Sequence, residues 1–552
     1  MPDNAATQGR PWLSSYPPEL PPSLDYPRKP LYHFLQESAA RFPRRPALIY
    51  QEPPGGGLPP VKTYRELDED SSRFAAALAA LGVVKGDRVA YYIQNSPELV
   101  TGFYGILKAG AVPVPCNVMY RVEELAYHLK DSGAKVLLCE AELYPTARPA
   151  LAETAVTEVI VAGGQVDAAS VHGWEHLLAA HSPLLELPAI NPDRDLALLP
   201  YTGGTTGVPK GSMLTHANLV ANAVQFRDWF GYQPGKEVFV ATLPLFHIGG
   251  IAGVMSVPLA AGATIVLFRR FHPERALQAI QDYRATRFLG VPTMYIALLN
   301  HEQSGSYDLS SLRPSRTSAA PLPRAVKEAF DGLVGHEVLI EGYGLTETSP
   351  LTHANPVHSA QAGSIGVPLP DTDARVFDAE DGVTELPVGE IGELVLRGPQ
   401  VMQGYWNRPA ETAEAVRDGW FYTGDLAYMD QWGYFYIVDR KKDVINAAGF
   451  KVWPREVEEV LYQHPAVRVA AVLGVPDDYR GETVKAVIAL KEGSPFSSEA
   501  LARQDILDFC QQRLANYKIP RIVDFREDLP VSAAGKVLRR VMRDEAVEGQ
   551  GS

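Results

Sequence analysis

The residues best suited to chemistry lie between Leu196 and His216, LALLPYTGGTTGVPKGSMLTH, where an apolar run gives way to glycine and hydroxyl residues closed by one lysine. Gly203, Gly204 and Gly207 permit positive backbone angles and close approach of backbone N–H groups to an anion. Thr202, Thr205 and Thr206 add hydroxyl donors, and Lys210 adds a mobile positive charge. Together they describe a phosphate cradle. It is not a Walker loop, because Pro209 stands where that pattern needs a glycine before the lysine. A polar surface loop is the alternative that composition alone leaves open, and it loses weight because of partners further along the chain. The stretch Leu339 to Thr348, LIEGYGLTET, brings Tyr343 between Gly342 and Gly344 at the end of an apolar strand. Its ring face is then open to stack on a purine, a contact worth about 1 to 3 kcal/mol per base in nucleic-acid systems. Glu347 offers the hard oxygen that Mg²⁺ prefers, and Thr346 can reach a phosphate.

YTGGTTGVPKG, over eleven consecutive positions, resembles the signature loop of the adenylate-forming (AMP-binding) superfamily: acyl-CoA synthetases, firefly-type luciferases and the adenylation domains of peptide synthetases. Gly203 stands where much of the superfamily has Ser, which is similar to bacterial long-chain and medium-chain fatty acid CoA ligases. The resemblance implies roles for further residues. Ser318, Ala319, Ala320 and Pro321 (SAAP) match the loop over the second adenine face. Asp425 in WFYTGDLAYMD matches the carboxylate that holds both ribose hydroxyls, and Arg440 in VDRKKD a residue that contacts the ribose. Thr202 joins Glu347 as a candidate Mg²⁺ contact. PLFHIGG (residues 244–250) resembles the motif at the mouth of the acyl and pantetheine channels, with His247 at the gating position. Gly249, Gly250 and Gly253 then line a tunnel or pack tightly, and 291–299, with Met294, matches the acyl-pocket helix. Lys442 matches the pivot of a rotating C-terminal domain, Gly449 borders the pantetheine path, and Lys536 in SAAGKVLRR matches the adenylation lysine, with Ala534 in place of the usual Ser or Thr.

The elements that must position these groups are legible from periodicity. Strand patterns over 88–93, 111–114 and 136–139 alternate with helices that begin at Ser96–Pro97 and end at Gly133, which is the signature of parallel sheet with helices outside. From Gly363 the helical period fades; 375–377, the Asp381–Gly382 turn and 393–396 read as antiparallel strands. A helix over 455–462 and strands over 467–472 and 484–490 make a compact α+β unit. The expected fold is therefore mixed α/β and α+β. It has an extended proline-rich segment 1–30, an adenylation domain 31–440 with a β-rich subdomain from about 363, and a small mobile C-terminal domain 441–552 hinged at 441–443.

Composition narrows the function further. A chain of 552 residues exceeds one hydrophobic core, and a net charge of −14 argues against nucleic acid as a partner. Cys116, Cys139 and Cys510 are too few and too scattered for a disulfide framework or a zinc site, as is the pair His353 and His358, so a reducing, cytoplasmic setting is expected. The start lacks the apolar core of a signal peptide, and the end, GQGS, is no peroxisomal address. The uncharged run 249–268 is broken by Pro258, Gly262 and Thr264 into helix, turn and strand, so it does not span a bilayer. Peripheral membrane contact is compatible with an enzyme of lipids, and a homodimer is left open. The resemblance implies a fatty acid CoA ligase with Lys536, Lys210, Thr202 and Glu347 as its catalytic set, using ATP, CoA and Mg²⁺. Competing readings are an aryl-acid CoA ligase, an enzyme passing acyl-AMP to a carrier protein or to oxygen, and a nucleotide sensor without chemistry.

Overall fold

Strand, capped helix, strand is the unit from which the first half of the chain is built. The computed structural model describes residues 9–52, 57–203, 208–317, 320–447, 449–477, 480–532 and 537–548. Ser96 Oγ accepts from the Leu99 N–H at 3.2 Å and Pro97 opens the helix Pro97–Lys108. Gly133 ends Val122–Ser132 in the left-handed region, at φ 62°. The strands they connect lie parallel in the order Val112–Pro115, Arg88–Tyr92, Val136–Glu140, Glu158–Ala162, Val171–Gly173.

A second sheet sets Arg287–Phe288, Val238–Ala241, Thr264–Leu267 and Pro46–Tyr50 parallel, with Val61–Thr63 antiparallel at its edge. The uncharged run resolves as expected into helix (Ile248–Gly250, a π-helical Ile251–Ser256, Val257–Ala260), turn and strand Thr264–Leu267. Among the described residues no helix is long and apolar enough to cross a membrane. The two sheets are stitched by Asn95, whose amide donates to the carbonyls of Leu243 (2.9 Å) and Phe268 (3.1 Å) while its oxygen accepts from the Leu245 N–H (2.8 Å).

Ser315–Thr317 lies parallel to Leu339–Gly344, which turns back antiparallel into Leu351–Ala354 and then Val367–Pro368. Beyond it, Asp373–Phe377, Gly392–Arg397, Trp420–Met429 and Phe435–Arg440 form the expected antiparallel sheet. The C-terminal α+β unit has its own core, including Ile445, Val457, Val472, Ile488 and Val523. Its central hairpin is longer than the apolar pattern indicates, Val467–Asp477 against Gly481–Leu490, because the ladder continues through Pro476 and Glu482.

One expectation needs correcting. The proline-rich segment before Leu31 is not extended throughout: a 3₁₀ turn at Pro11–Ser15 buries Trp12, 2% exposed, against Phe435. Gly433 makes room for it, since a Cβ there would lie 2.4 Å from the Trp12 backbone nitrogen.

Asn95→Ala removes three buried hydrogen bonds between the two parallel sheets. Orphaning such groups costs about 1 to 3 kcal/mol each, so a fall of several degrees in the first thermal transition is expected. A shift below about 1 °C would show that Asn95 does not join the sheets.

Candidate active site

The hairpin carrying the phosphate-cradle pattern pairs Tyr201–Gly203 with Pro209–Gly211, which sets Thr202 directly opposite Lys210. Its base is fixed from outside: Asp131 accepts from the Tyr201 hydroxyl at 2.8 Å and from Arg408 at 2.8 Å. The proposed donors Gly204, Thr205, Thr206 and Gly207 lie outside the described residues, as do Ser318, Ala319 and Lys536.

Tyr343 lies on Leu339–Gly344, and neither flanking glycine is replaceable at no cost. A Cβ on Gly344 would sit 1.9 Å from the Pro350 carbonyl oxygen, and one on Gly342 2.8 Å from the Arg316 side chain. The glycines therefore let the strand fold back closely on Leu351–Ala354. Ala320 and Pro321 follow Ser315–Thr317, the parallel neighbour of this strand, so both halves of the expected adenine site leave the same sheet edge.

The Tyr343 hydroxyl donates to Asp425 Oδ2 at 2.6 Å, and Arg440 Nε lies 3.4 Å from Asp425 Oδ1. Burial first, and the Asp425 carboxylate second, push the tyrosine pKa well above its ordinary value, so the phenol stays a donor. Asp425 and Arg440 are register partners on antiparallel strands of the β subdomain. Residues expected at the adenine and at the ribose are thus joined, with one Asp425 oxygen already engaged by Tyr343.

Glu347 opens toward the hairpin from the turn Thr346–Thr348. Its Oε1 accepts from the Tyr405 hydroxyl at 2.9 Å, and burial raises its pKa against the lowering effect of that bond. Lys210 Nζ lies 5.3 Å from the centroid of the same tyrosine ring. Among the described residues no group of three or more His, Cys, Asp or Glu could hold a metal ion. The donors present suit Mg²⁺ all the same, since it takes one or two carboxylates and fills the rest of its shell with substrate phosphates and water. Glu347 is the carboxylate that would hold it, with Thr202 as a second oxygen.

Sequence reasoning missed Tyr405. The only local signal is an aromatic following Gly404, a glycine at φ 143° whose added Cβ would strike Thr412 at 2.5 Å. It also missed Glu341, one residue before Gly342. This buried carboxylate, its pKa raised by desolvation to about 7, accepts from the Leu322 N–H at 3.3 Å and faces Arg455 of the C-terminal unit at 3.7 Å.

The channel residues divide. His247 is exposed at the start of the π-containing helix. Met294, on Pro292–Leu299, is buried and its sulfur accepts from Thr242 at 3.8 Å, two residues before the PLFHIGG stretch begins. Around Gly249 there is open space, whereas a Cβ on Gly250 would lie 2.0 Å from the Pro244 carbonyl oxygen and one on Gly253 3.2 Å from Leu289. Open space and tight packing are therefore both present, at different glycines. Lys442 is exposed between two tethered neighbours, Lys441 bound to Glu393 (3.0 Å) and Asp443 to Arg543 (3.2 Å). Gly449 takes a left-handed φ of 85° with open space around it, and its N–H donates to Asn446 at 3.1 Å.

Comparison with known proteins agrees with this geometry. Residues 35–406 match the model of the AMP-binding enzyme family, and residues 456–536 match the AMP-binding enzyme C-terminal domain. A long-chain-fatty-acid–CoA ligase of Bacillus subtilis is 40% identical over 98% of this chain and 98% of its own. One from Escherichia coli O6:H1 is 38% identical over 97% of this chain and 98% of its own. Among solved structures, an anthranilate CoA ligase in complex with anthranoyl-AMP superposes with a TM-score of 0.86, at 30% identity, covering 97% of this chain and 99% of that one.

The two adjacent glycines give a test. Gly250→Ala should lower the melting temperature by several degrees, because backbone must move to admit the methyl. Gly249→Ala should leave the melting temperature within about a degree and change only the response to acyl substrates. Equal thermal effects would refute the division.

Proposed function

The chain belongs to the AMP-binding enzyme family, and from that premise we propose that it is an ATP-dependent fatty acid CoA ligase. The fatty acid carboxylate attacks the α-phosphate of ATP, giving acyl-AMP and pyrophosphate. The CoA thiol then attacks the acyl carbonyl, giving acyl-CoA and AMP. The observation that carries the substrate class is similarity to long-chain-fatty-acid–CoA ligases along 97 to 98% of the chain.

The side chains suit the first step. Attack by one anion on a polyanion needs positive charge fixed in advance. Lys210 supplies it beside Thr202, and Lys536 is the second cation of the proposal. Mg²⁺, when bound, neutralises phosphate charge and polarises the reacting phosphoryl group. Glu347 holds its carboxylate toward that position, Tyr343 offers its ring to the adenine, and Asp425 with Arg440 meets the ribose. A cytoplasmic setting belongs to the same proposal and is supported by three cysteines that are all buried and free. Its small-molecule partners are fatty acid, ATP and CoA.

The acyl chain fits the open side of Gly249 and the apolar helix Pro292–Leu299. Each buried methylene contributes about 0.8 kcal/mol, so neighbouring chain lengths should differ only a few-fold until the channel is full. Pyrophosphate release across saturated acids of increasing length is the test. Benzoate or coumarate outperforming dodecanoate and palmitate by tenfold would replace this assignment with an aryl-acid ligase.

The division at 441–443 is also proposed, with Lys442 as the pivot that lets one site serve both steps. Its neighbours are held by ion pairs, Lys441 to Glu393 and Asp443 to Arg543, while Lys442 itself is exposed, and this supports a rotation at Lys442. Proline fixes φ near −65°. Lys442→Pro should therefore retain acyl-AMP formation and lose most thioester formation from supplied acyl-AMP, both measured on folded protein. Unchanged thioester formation would show that the pivot lies elsewhere.

A further inference from the structure

Tyr405 has no part in the steps above, yet it touches both charged groups of the phosphate site. Its hydroxyl donates to Glu347 Oε1 at 2.9 Å and its ring lies 5.3 Å from Lys210 Nζ. Its backbone is held with equal care. Tyr405 is bridged to Ser212, its N–H donates to Thr412 Oγ1 at 2.9 Å, and the N–H of Trp406 donates to the Gly211 carbonyl at 2.8 Å. Two residues earlier along the same stretch, Gln403 and Gly404 pair with Met213 (3.0 and 2.9 Å), and the Met402 N–H donates to the carbonyl of Glu347 itself at 2.8 Å. The ring thus stands on a backbone frame bonded both to the segment that follows Lys210 and to the turn that carries Glu347.

We propose that Tyr405 is a positioning residue for adenylation, set between Lys210 and Glu347 so that the lysine faces ATP phosphate while the carboxylate faces Mg²⁺. Resting on the adenylating activity proposed above, this assignment concerns a residue none of those steps uses. Two opposite charges this close to one ring have an obvious alternative, which is to pair with each other and enter the reaction already neutralised. Among the described residues no ion pair joins them. The π face attracts the ammonium, and the hydroxyl at the ring's far end fixes the rotation of the carboxylate. One side chain therefore holds both groups in place without neutralising either charge.

The two contacts can be removed separately. Tyr405→Phe keeps the ring and loses the hydroxyl, whereas Tyr405→Leu loses both. ATP binding by calorimetry, with excess Mg²⁺ and with EDTA and no fatty acid present, is the first readout. The Mg²⁺ dependence of pyrophosphate release with dodecanoate is the second. For Tyr405→Phe the expected result is ATP affinity in EDTA within about twofold of wild type, Mg·ATP affinity about tenfold weaker, and a similar rise in half-saturating Mg²⁺. Tyr405→Leu should also weaken ATP binding in EDTA. In a Glu347→Gln background the added Tyr405→Phe change should have no further effect on the Mg²⁺ response. An unchanged Mg²⁺ response in Tyr405→Phe, equal losses with and without Mg²⁺, or full additivity with Glu347→Gln overturns the assignment and leaves a structural tyrosine. Wild-type protein that binds Mg·ATP but releases no pyrophosphate with any acid would instead overturn the adenylating activity on which the assignment rests.

Discussion

Everything at the site depends on backbone hydrogen bonds between segments far apart in the chain. The stretch 402–406 pairs with 211–213 on one side and with the Glu347 turn on the other. Lys210 and Glu347 are long or flexible side chains that would lose about 1.5 to 2 kcal/mol of rotamer freedom if placed by side-chain contacts alone. A backbone ladder, already ordered by folding, fixes where their Cα atoms stand, so the contacts of Tyr405 have only the side chains left to order. The same economy appears at Tyr343, where close approach at Gly344 fixes the strand before the hydroxyl reaches Asp425. With strand and acceptor held by separate sheets, the bond between them ties the mixed sheet of Leu339–Gly344 to the β subdomain.

Electrostatics at the junction with the C-terminal unit work differently. Arg455 donates to the Ile437 carbonyl at 2.7 Å and faces Glu341 at 3.7 Å, both groups about 10% exposed or less. Desolvation raises the Glu341 pKa to about 7 despite the guanidinium. Taking two charges out of water offsets most of their mutual attraction. The pair therefore fixes how the units meet while adding little to their affinity, which is the balance a rotation at 441–443 would require. Arg539 is held more firmly, with Glu458 of its own unit 11% exposed and Asp439 at 3.4 Å across the junction.

Much of the fold was legible because it obeys periodicity. Ser96–Pro97 and Gly133 marked helix ends correctly, and the strands at 88 and 136 lay within one residue of their predicted bounds. The failures share a cause. Trp12 sits in a proline-rich stretch with no period, and its burial is decided by Gly433, far along the chain. The hairpin 467–490 runs on through Pro476 and Glu482 because tertiary pairing overrides local propensity there. At the site, Tyr343, Asp425 and Arg440 could be chosen from motifs, and the structure brings them together. Tyr405 and Glu341 could not be chosen. Their importance lies in what faces them across space, and an aromatic before a tryptophan or an acid before a glycine has no distinguishing spacing.

Glycine shows the limit of such reading most sharply. In PLFHIGG two adjacent glycines leave two explanations open, a tunnel wall or tight packing, and nothing in the sequence distinguishes one glycine from the other. The backbone separates them: Gly250 is a glycine because the Pro244 carbonyl occupies the place of its side chain, and Gly249 borders empty space. The following π-helical segment Ile251–Ser256 widens one turn of the helix and turns its faces out of the ordinary 3.6-residue register. A sequence window assuming that register assigns Gly253 to the same wall as Gly249, whereas Leu289 packs close to Gly253. The open side of this helix is therefore drawn by helix geometry as much as by residue size, and any account of chain-length selection must begin from the π segment and not from the count of small residues.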